Sequence, residues 1–134
     1  MRSIRLSALG LALVALVSAG GASAQEKDQS KTETVCIRKA EINVVRALDD
    51  EHIGVKLGAS RFYLLTVARP CYELKQARAI AFEGTATRVC SDGSSLVSFD
   101  YPTVGSMRCR VERIEPVADM NAARELIESR KKEK

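Results

Sequence analysis

The chain has no tryptophan and only three phenylalanines and three tyrosines among its 134 residues. Without an aromatic platform, successive bases have nothing to stack on, which removes a main contact of single-strand nucleic-acid binding. An excess of one charge is lacking too. Lys and Arg number 21 against 17 Asp and Glu, a net +4, and Arg2 and Arg5 lie in a segment expected to be removed, which halves that excess. So balanced a chain has no concentrated basic footprint for nucleic acid. There is one histidine, His52, and there is no C-x-x-C pair, no glycine-rich phosphate loop and no Gly-x-Ser-x-Gly turn. Structural zinc sites pair their ligands in short knuckles, and dithiol redox enzymes place an attacking thiolate beside its resolving partner. Neither arrangement is present, so no metal ligand, cofactor site or catalytic residue is assigned.

What is present begins with MRSIRLSALGLALVALVSAGGASAQ. A basic opening, an apolar run over residues 6–17 and a small-residue ending predict a secretory signal over residues 1–24, cut between Ala24 and Gln25. The run is shorter than the ~20 residues a membrane span needs, so no transmembrane segment is expected in the mature chain. No cysteine precedes Cys36, so no thiol at the cut site is there to carry a lipid. Residues 25–34, QEKDQSKTET, hold no strongly apolar side chain and predict a flexible leader. Residues 35–117 then carry a single β domain, and residues 118–134 a helix with a basic tail.

Period-two patterning dominates that domain. HIGVKL alternates Ile53, Val55 and Leu57 against His52, Gly54 and Lys56, and RFYLLTVA is nearly continuous in apolar and β-branched residues. The first predicts a strand with one buried face and the second a central strand covered on both sides. The short GAS turn at 58–60 joins them as a hairpin. Arg69 and Pro70 end the second strand, because proline cannot donate to a ladder. Upstream, CIRKAEINVVRAL reads as a strand with a bulge or bend. Downstream, AIAF and SLVSFDY are short strands around an Asp92-Gly93 turn, and MRCRVERIEPV puts Met107, Cys109 and Val111 on its apolar face. In the last segment, Asp119 is the expected N-cap of a helix whose stripe of Met120, Ala123, Leu126 and Ile127 docks on the sheet. The fold class is therefore mainly β: a small antiparallel barrel-like or sandwich sheet with one C-terminal helix and two disulfides.

An even number of cysteines in a small exported chain predicts a disulfide framework. Cys36, Cys71, Cys90 and Cys109 allow three pairings. If the first and last strands meet as the sheet closes, Cys36 pairs with Cys109 and Cys71 with Cys90, and this is the favoured arrangement. The chain-entropy model values the two loops so closed at roughly 4.5 and 3 kcal/mol.

Two surface features also invite chemistry. Asp49, Asp50 and Glu51 cluster in a turn before His52, without the alternating spacing and bend glycine of a calcium loop, so a solvated turn is expected. His52 itself falls on the polar side of its strand, where a solvated ring is expected. Arg108, Arg110 and Arg113, with Arg88 nearby, suggest a strip able to meet anionic lipid head groups, but Glu112 and Glu115 interleave with them, and a mixed-sign solvated face is expected.

The order CIRKAEI, LDD, FYLLTVARPCYEL, AIAF, RVCSDG and CRVERIEP resembles an uncharacterised family of small exported four-cysteine proteins of proteobacteria, a domain of unknown function. The similarity covers residues 36–116 and is most specific from Tyr63 through Leu74; after Cys90 the family tends to a Gly-Asp order where Ser91, Asp92 and Gly93 stand here. The resemblance implies a periplasmic home and paired cysteines, and no activity. The expected protein is thus a periplasmic or secreted, non-enzymatic binding or structural module whose partner is an envelope protein or surface component. The alternative is a small hydrolase or lyase using Asp49, Asp50 or Glu51 with His52. A concave pocket around His52 favours the enzyme, and a flat apolar exposed patch favours the binder.

Overall fold

The computed structural model describes residues 33–68 and 71–134. The signal expected over 1–24 with its cut site, most of the leader expected at 25–34, and the strand end expected at Arg69 and Pro70 lie outside the described residues. The elements are β1 (Cys36–Arg38), a 3-10 turn (Lys39–Glu41), β2 (Ile42–Ala47), β3 (His52–Leu57), β4 (Arg61–Val67), β5 (Ile80–Phe82), β6 (Arg88–Cys90), β7 (Leu96–Tyr101), β8 (Gly105–Val117) and α1 (Met120–Glu133). A second 3-10 turn (Leu74–Gln76) follows β4. Six strands form one antiparallel sheet in the order β2-β3-β4-β8-β7-β5, and β1 pairs separately with β6. The outer strands β2 and β5 approach each other without a ladder between them, so the sheet is a nearly closed barrel.

The alternation read in HIGVKL fills this barrel. Ile53, Val55 and Leu57 point inward with Leu65 and Val67 of β4, Val97 and Phe99 of β7, and Val111 and Ile114 of β8. Each such side chain contributes roughly 1.5–3 kcal/mol when fully removed from water. Ile37 of β1 and Val89 of β6 belong to the same core, so the separate ribbon packs on the barrel. At the β3–β4 turn Gly58 has φ +55°, the left-handed conformation that glycine adopts without strain.

β8 is long because it serves two neighbours. Gly105 to Arg110 pair with β7, and from Val111 onward the strand pairs with β4. Between those stretches the β4–β8 register shifts: Thr66 faces Arg113 while Val67 faces Val111, leaving Glu112 as an extra residue. The bulge re-aims the strand at that point.

The outer face of β3 and β4 is also covered, which explains why β4 is apolar on both sides. α1 lays Ala123 and Ile127 on Leu64, with Leu48, Val117 and Leu126 around them. Asp119 caps this helix as expected, its Oδ1 accepting from the Ala122 amide at 2.7 Å. Gly54 lies directly beneath: a Cβ built there would meet Met120 Sδ at 2.5 Å, so the absence of a side chain lets helix and sheet approach. The consequence for His52 is a correction. Its strand face is not solvated, and the residue is only 8% exposed, because α1 and the turn before β3 cover the side that alternation alone assigns to water.

The two disulfides join Cys36 to Cys90 and Cys71 to Cys109. The favoured pairing of Cys36 with Cys109 and Cys71 with Cys90 assumed that the first and last strands of the chain are neighbours, and they are not. β1 leaves the barrel to pair with β6, with Cys36 and Cys90 as register partners, while β8 lies between β4 and β7. Cys71, just past β4, therefore meets Cys109 on the neighbouring strand, and both are buried.

Candidate functional site

The turn between β2 and β3 is fixed by backbone hydrogen bonds, one closing the turn and two from the end of β4 and beyond. The Leu48 amide donates to the His52 carbonyl at 2.9 Å, the Val67 amide to the Glu51 carbonyl at 2.9 Å, and the Cys71 amide to the Asp50 carbonyl at 2.7 Å. Within this frame Asp49, Asp50 and Glu51 all line one cleft, but the carboxylates of Asp49 and Asp50 take different partners. Asp50 Oδ1 accepts from the Lys75 amide at 3.0 Å, whereas Asp49 Oδ1 takes the Glu51 amide at 2.8 Å and contacts His52 Nδ1 at 2.8 Å. Asp49 Oδ2 faces Lys131 Nζ at 3.3 Å. No group of three His, Cys, Asp or Glu side chains converges as a metal-ligand set among the described residues.

Asp49 settles the tautomer of His52. A carboxylate only accepts, so Nδ1 carries the proton and donates, and in the neutral ring Nε2 is left as an acceptor. Nε2 has no hydrogen-bond partner among the described residues. Beside it on β4 stands Thr66, the register partner of His52, whose Oγ1 is buried and has no partner either.

These groups line a cleft of about 500 Å³. The turn forms one side with Asp49 and His52, β8 contributes Glu112 and Arg113 from the bulge, and α1 supplies Ile127, Arg130 and Lys131. Arg130 forks onto Glu115 with two bonds of 2.7 Å, the bidentate geometry that adds direction to charge. With Lys131 on Asp49, this pins the C-terminal half of the helix to both β8 and the turn. Arg113 has no ion pair among the described residues.

Two carboxyl groups are shifted by this arrangement. Burial pushes the Asp49 carboxyl up, but the Glu51 amide, the His52 ring and the Lys131 ammonium together outweigh it and hold Asp49 below its ordinary value. The Arg130 hydrogen bonds, opposed by burial and helped by the Arg130 charge, hold Glu115 below its own. A carboxyl whose folded-state pKa is depressed stabilises the fold above its unfolded value, and that contribution is lost as pH falls through the folded value. Stability is therefore expected to drop as the medium is acidified below about pH 4, where free carboxyls protonate. Urea denaturation across that range should show a shallower drop for Asp49→Asn, and equal slopes for the two proteins would remove Asp49 from the account.

The arginines read as a strip are only partly together. Arg108, which bonds Glu83 at 2.9 Å, and Arg110 line one pocket with Tyr72, whereas Arg88 lies on β6 opposite Arg38 and Arg113 lines the His52 cleft. Of the site, Asp49 and His52 stand close in sequence and were visible there. Thr66, Arg113 and Arg130 come from β4, β8 and α1, and only the fold assembles them.

The sequence matches the family of unknown function DUF6491 over residues 1–133. The chain belongs to that family. For this DUF6491 member the match extends well beyond the residues 36–116 that carried the resemblance. No curated protein and no solved structure matches it. The DUF6491 fold seen here is thus a mainly β barrel with a C-terminal helix and two disulfides, and its cleft sits where the helix end, the β2–β3 turn and the β8 bulge meet.

Proposed function

We propose that this protein is an exported binding module of the cell envelope that takes a small polar ligand in the His52 cleft. Export is supported by the signal-like opening over residues 1–24, cut between Ala24 and Gln25, and by two disulfides in so small a domain, which persist in oxidising compartments such as the periplasm or the exterior. The observation that carries the ligand reading is an oriented, unpartnered acceptor in a cleft: Nδ1 of His52 is held by Asp49 while Nε2 is left for a ligand donor. Arg113, two strands away on β8, lines the same cleft and suits an anionic group, although Asp50, Glu51 and Glu112 line it as well. Among the described residues the large exposed hydrophobics, Val44, Tyr72 and Val104, are scattered on β2, after β4 and in the β7–β8 turn.

Glycerol phosphate, with hydroxyl donors and an anionic group, is a suitable probe. Its addition is expected to shift the backbone amide resonances of the β2–β3 turn and the β8 bulge, with saturation lost in His52→Gln and weakened in Arg113→Gln, both variants melting cooperatively. Unchanged titrations in both variants would overturn the site. The concave cleft around the oriented imidazole is the feature named above as favouring an enzyme, so a small hydrolase or lyase with His52 as general base stands beside the binding reading. Turnover of nitrophenyl acetate or nitrophenyl phosphate that disappears in His52→Gln would select it over simple binding.

A further inference from the structure

We propose that the Cys36–Cys90 bridge is a thiol-exchange site, distinct from the His52 cleft, whose co-reactant is a small thiol bearing carboxylates. β1 and β6 form a two-stranded antiparallel ribbon in which Cys36 faces Cys90, Ile37 faces Val89 and Arg38 faces Arg88. Side chains alternate along a strand and register partners share a face. The two cysteines and the two arginines therefore stand on one face, while Ile37 and Val89 are buried on the other. On each strand the arginine is two positions from the cysteine, about 7 Å away, a span that its own long side chain covers.

This face is open. Cys36 and both arginines are exposed and Cys90 is half-buried, whereas both cysteines of the other bridge are buried. Exposed disulfides are the more readily exchanged. Cys36, Arg38 and Arg88 also line a cavity of about 460 Å³ with Glu41, Arg61 and Tyr63, so three guanidinium groups share it with one carboxylate. Glu41 bonds Arg61 at 2.6 Å and lies 3.9 Å from Arg38, and Arg88 has no ion pair among the described residues. Like charges directly opposite on a ladder destabilise it. An anion held between Arg38 and Arg88 relieves that repulsion.

Arginines beside a disulfide favour exchange in two ways. They draw an anionic thiol into the cavity, and they stabilise the thiolate that the reaction releases. The incoming thiolate attacks Cys36 Sγ and forms a new sulfur–sulfur bond there, while the bond to Cys90 breaks and its electron pair leaves on Cys90 Sγ as a thiolate. A second thiolate, attacking the small-molecule sulfur of this mixed disulfide, frees Cys36 as a thiolate and departs as a small disulfide. The ribbon survives the opening. On one side of the bridge the Ser91 amide donates to the Val35 carbonyl at 2.9 Å and the Val35 amide to Ser91 Oγ at 2.9 Å; on the other the Lys39 amide donates to the Thr87 carbonyl at 2.9 Å. Ile37 and Val89 anchor it in the barrel core.

The test incubates the folded protein with glutathione, a carboxylate-bearing tripeptide thiol, and in parallel with neutral mercaptoethanol and cationic cysteamine. Samples are quenched with acid, and free and capped cysteines are located by mass. Each rate is divided by that of the same thiol with hydroxyethyl disulfide, which removes its intrinsic reactivity. Opening at Cys36 and Cys90 is expected to be about tenfold faster with glutathione than with cysteamine, less so at high salt, while Cys71 and Cys109 stay bridged. Combining Arg38→Gln with Arg88→Gln is expected to erase the preference in a protein that still melts cooperatively. The proposal is overturned by equal rates for the three thiols, by a preference that persists without the arginines, or by no opening in excess glutathione. Simultaneous opening of both bridges would equally overturn it, since that marks global unfolding rather than a site.

Discussion

Replacing Cys36 and Cys90 together by serine is expected to lower the unfolding free energy by about 4 kcal/mol, and replacing Cys71 and Cys109 together by a similar amount. The two bridges span 54 and 38 residues of sequence, and loop entropy rises only with the logarithm of loop length, so the values lie close together. A small domain has a total stability of roughly 5–15 kcal/mol, so either loss is large. The informative variant is the mixed one. Changing Cys71 and Cys90 together severs both bridges and strands Cys36 and Cys109 as two free thiols, so its loss should approach the sum of the other two. Were Cys71 bonded to Cys90, the same change would remove one bridge and leave no thiol. Urea denaturation and thiol labelling of the three variants decide between these outcomes, and a mixed variant that is no worse than the matched pairs would refute the connectivity.

Ile127→Ala is expected to destabilise the protein by about 3 kcal/mol, within the range for truncating a buried isoleucine. Ile127 is buried against Leu64 together with Ala123 and also lines the cleft, so the variant weakens the seat of the helix and one wall of the site at once. The exposed neighbour Glu125 offers a control, because surface substitutions away from such contacts usually change stability by no more than about 0.5 kcal/mol. Chemical denaturation measures the first effect. The glycerol phosphate titration of the His52 cleft measures the second, which should weaken in Ile127→Ala and stay unchanged in Glu125→Ala. A destabilised variant that retained full affinity would detach the helix from the site.

These two positions also show what could be read from the amino acids alone. Ile53, Val55 and Leu57 alternate within one strand, so their inward face is a local property and was legible. The hairpin around Gly58 and the Asp119 cap are local as well. The burial of His52 was not, because the element that covers it begins at Met120, far along the chain, and alternation says only which residues share a face. The apolar continuity of Leu64 and Leu65 and the helical stripe from Met120 to Ile127 both signalled a second layer outside the barrel, but neither says that it covers His52. The cysteine pairing failed for a different reason. Strand order along the chain differs from strand order in the sheet, and a three-residue element such as β1 has too short a pattern to reveal that it pairs with β6. The bulge at Glu112 left no mark in the sequence either, although it sets Arg113 opposite Thr66.

The docking of α1 ties the completeness of the cleft to the last segment of the chain. The barrel core is built from the strands and the segments packed on them, while Ile127, Arg130 and Lys131 reach the cleft only once the last segment of the chain has folded back over the outer face. A polypeptide that emerges N-terminus first thus completes its sheet before the His52 cleft has all its walls. Loss of the final helix would leave a body still held by both covalent links, with the imidazole of His52 open to water and one wall of its recess gone.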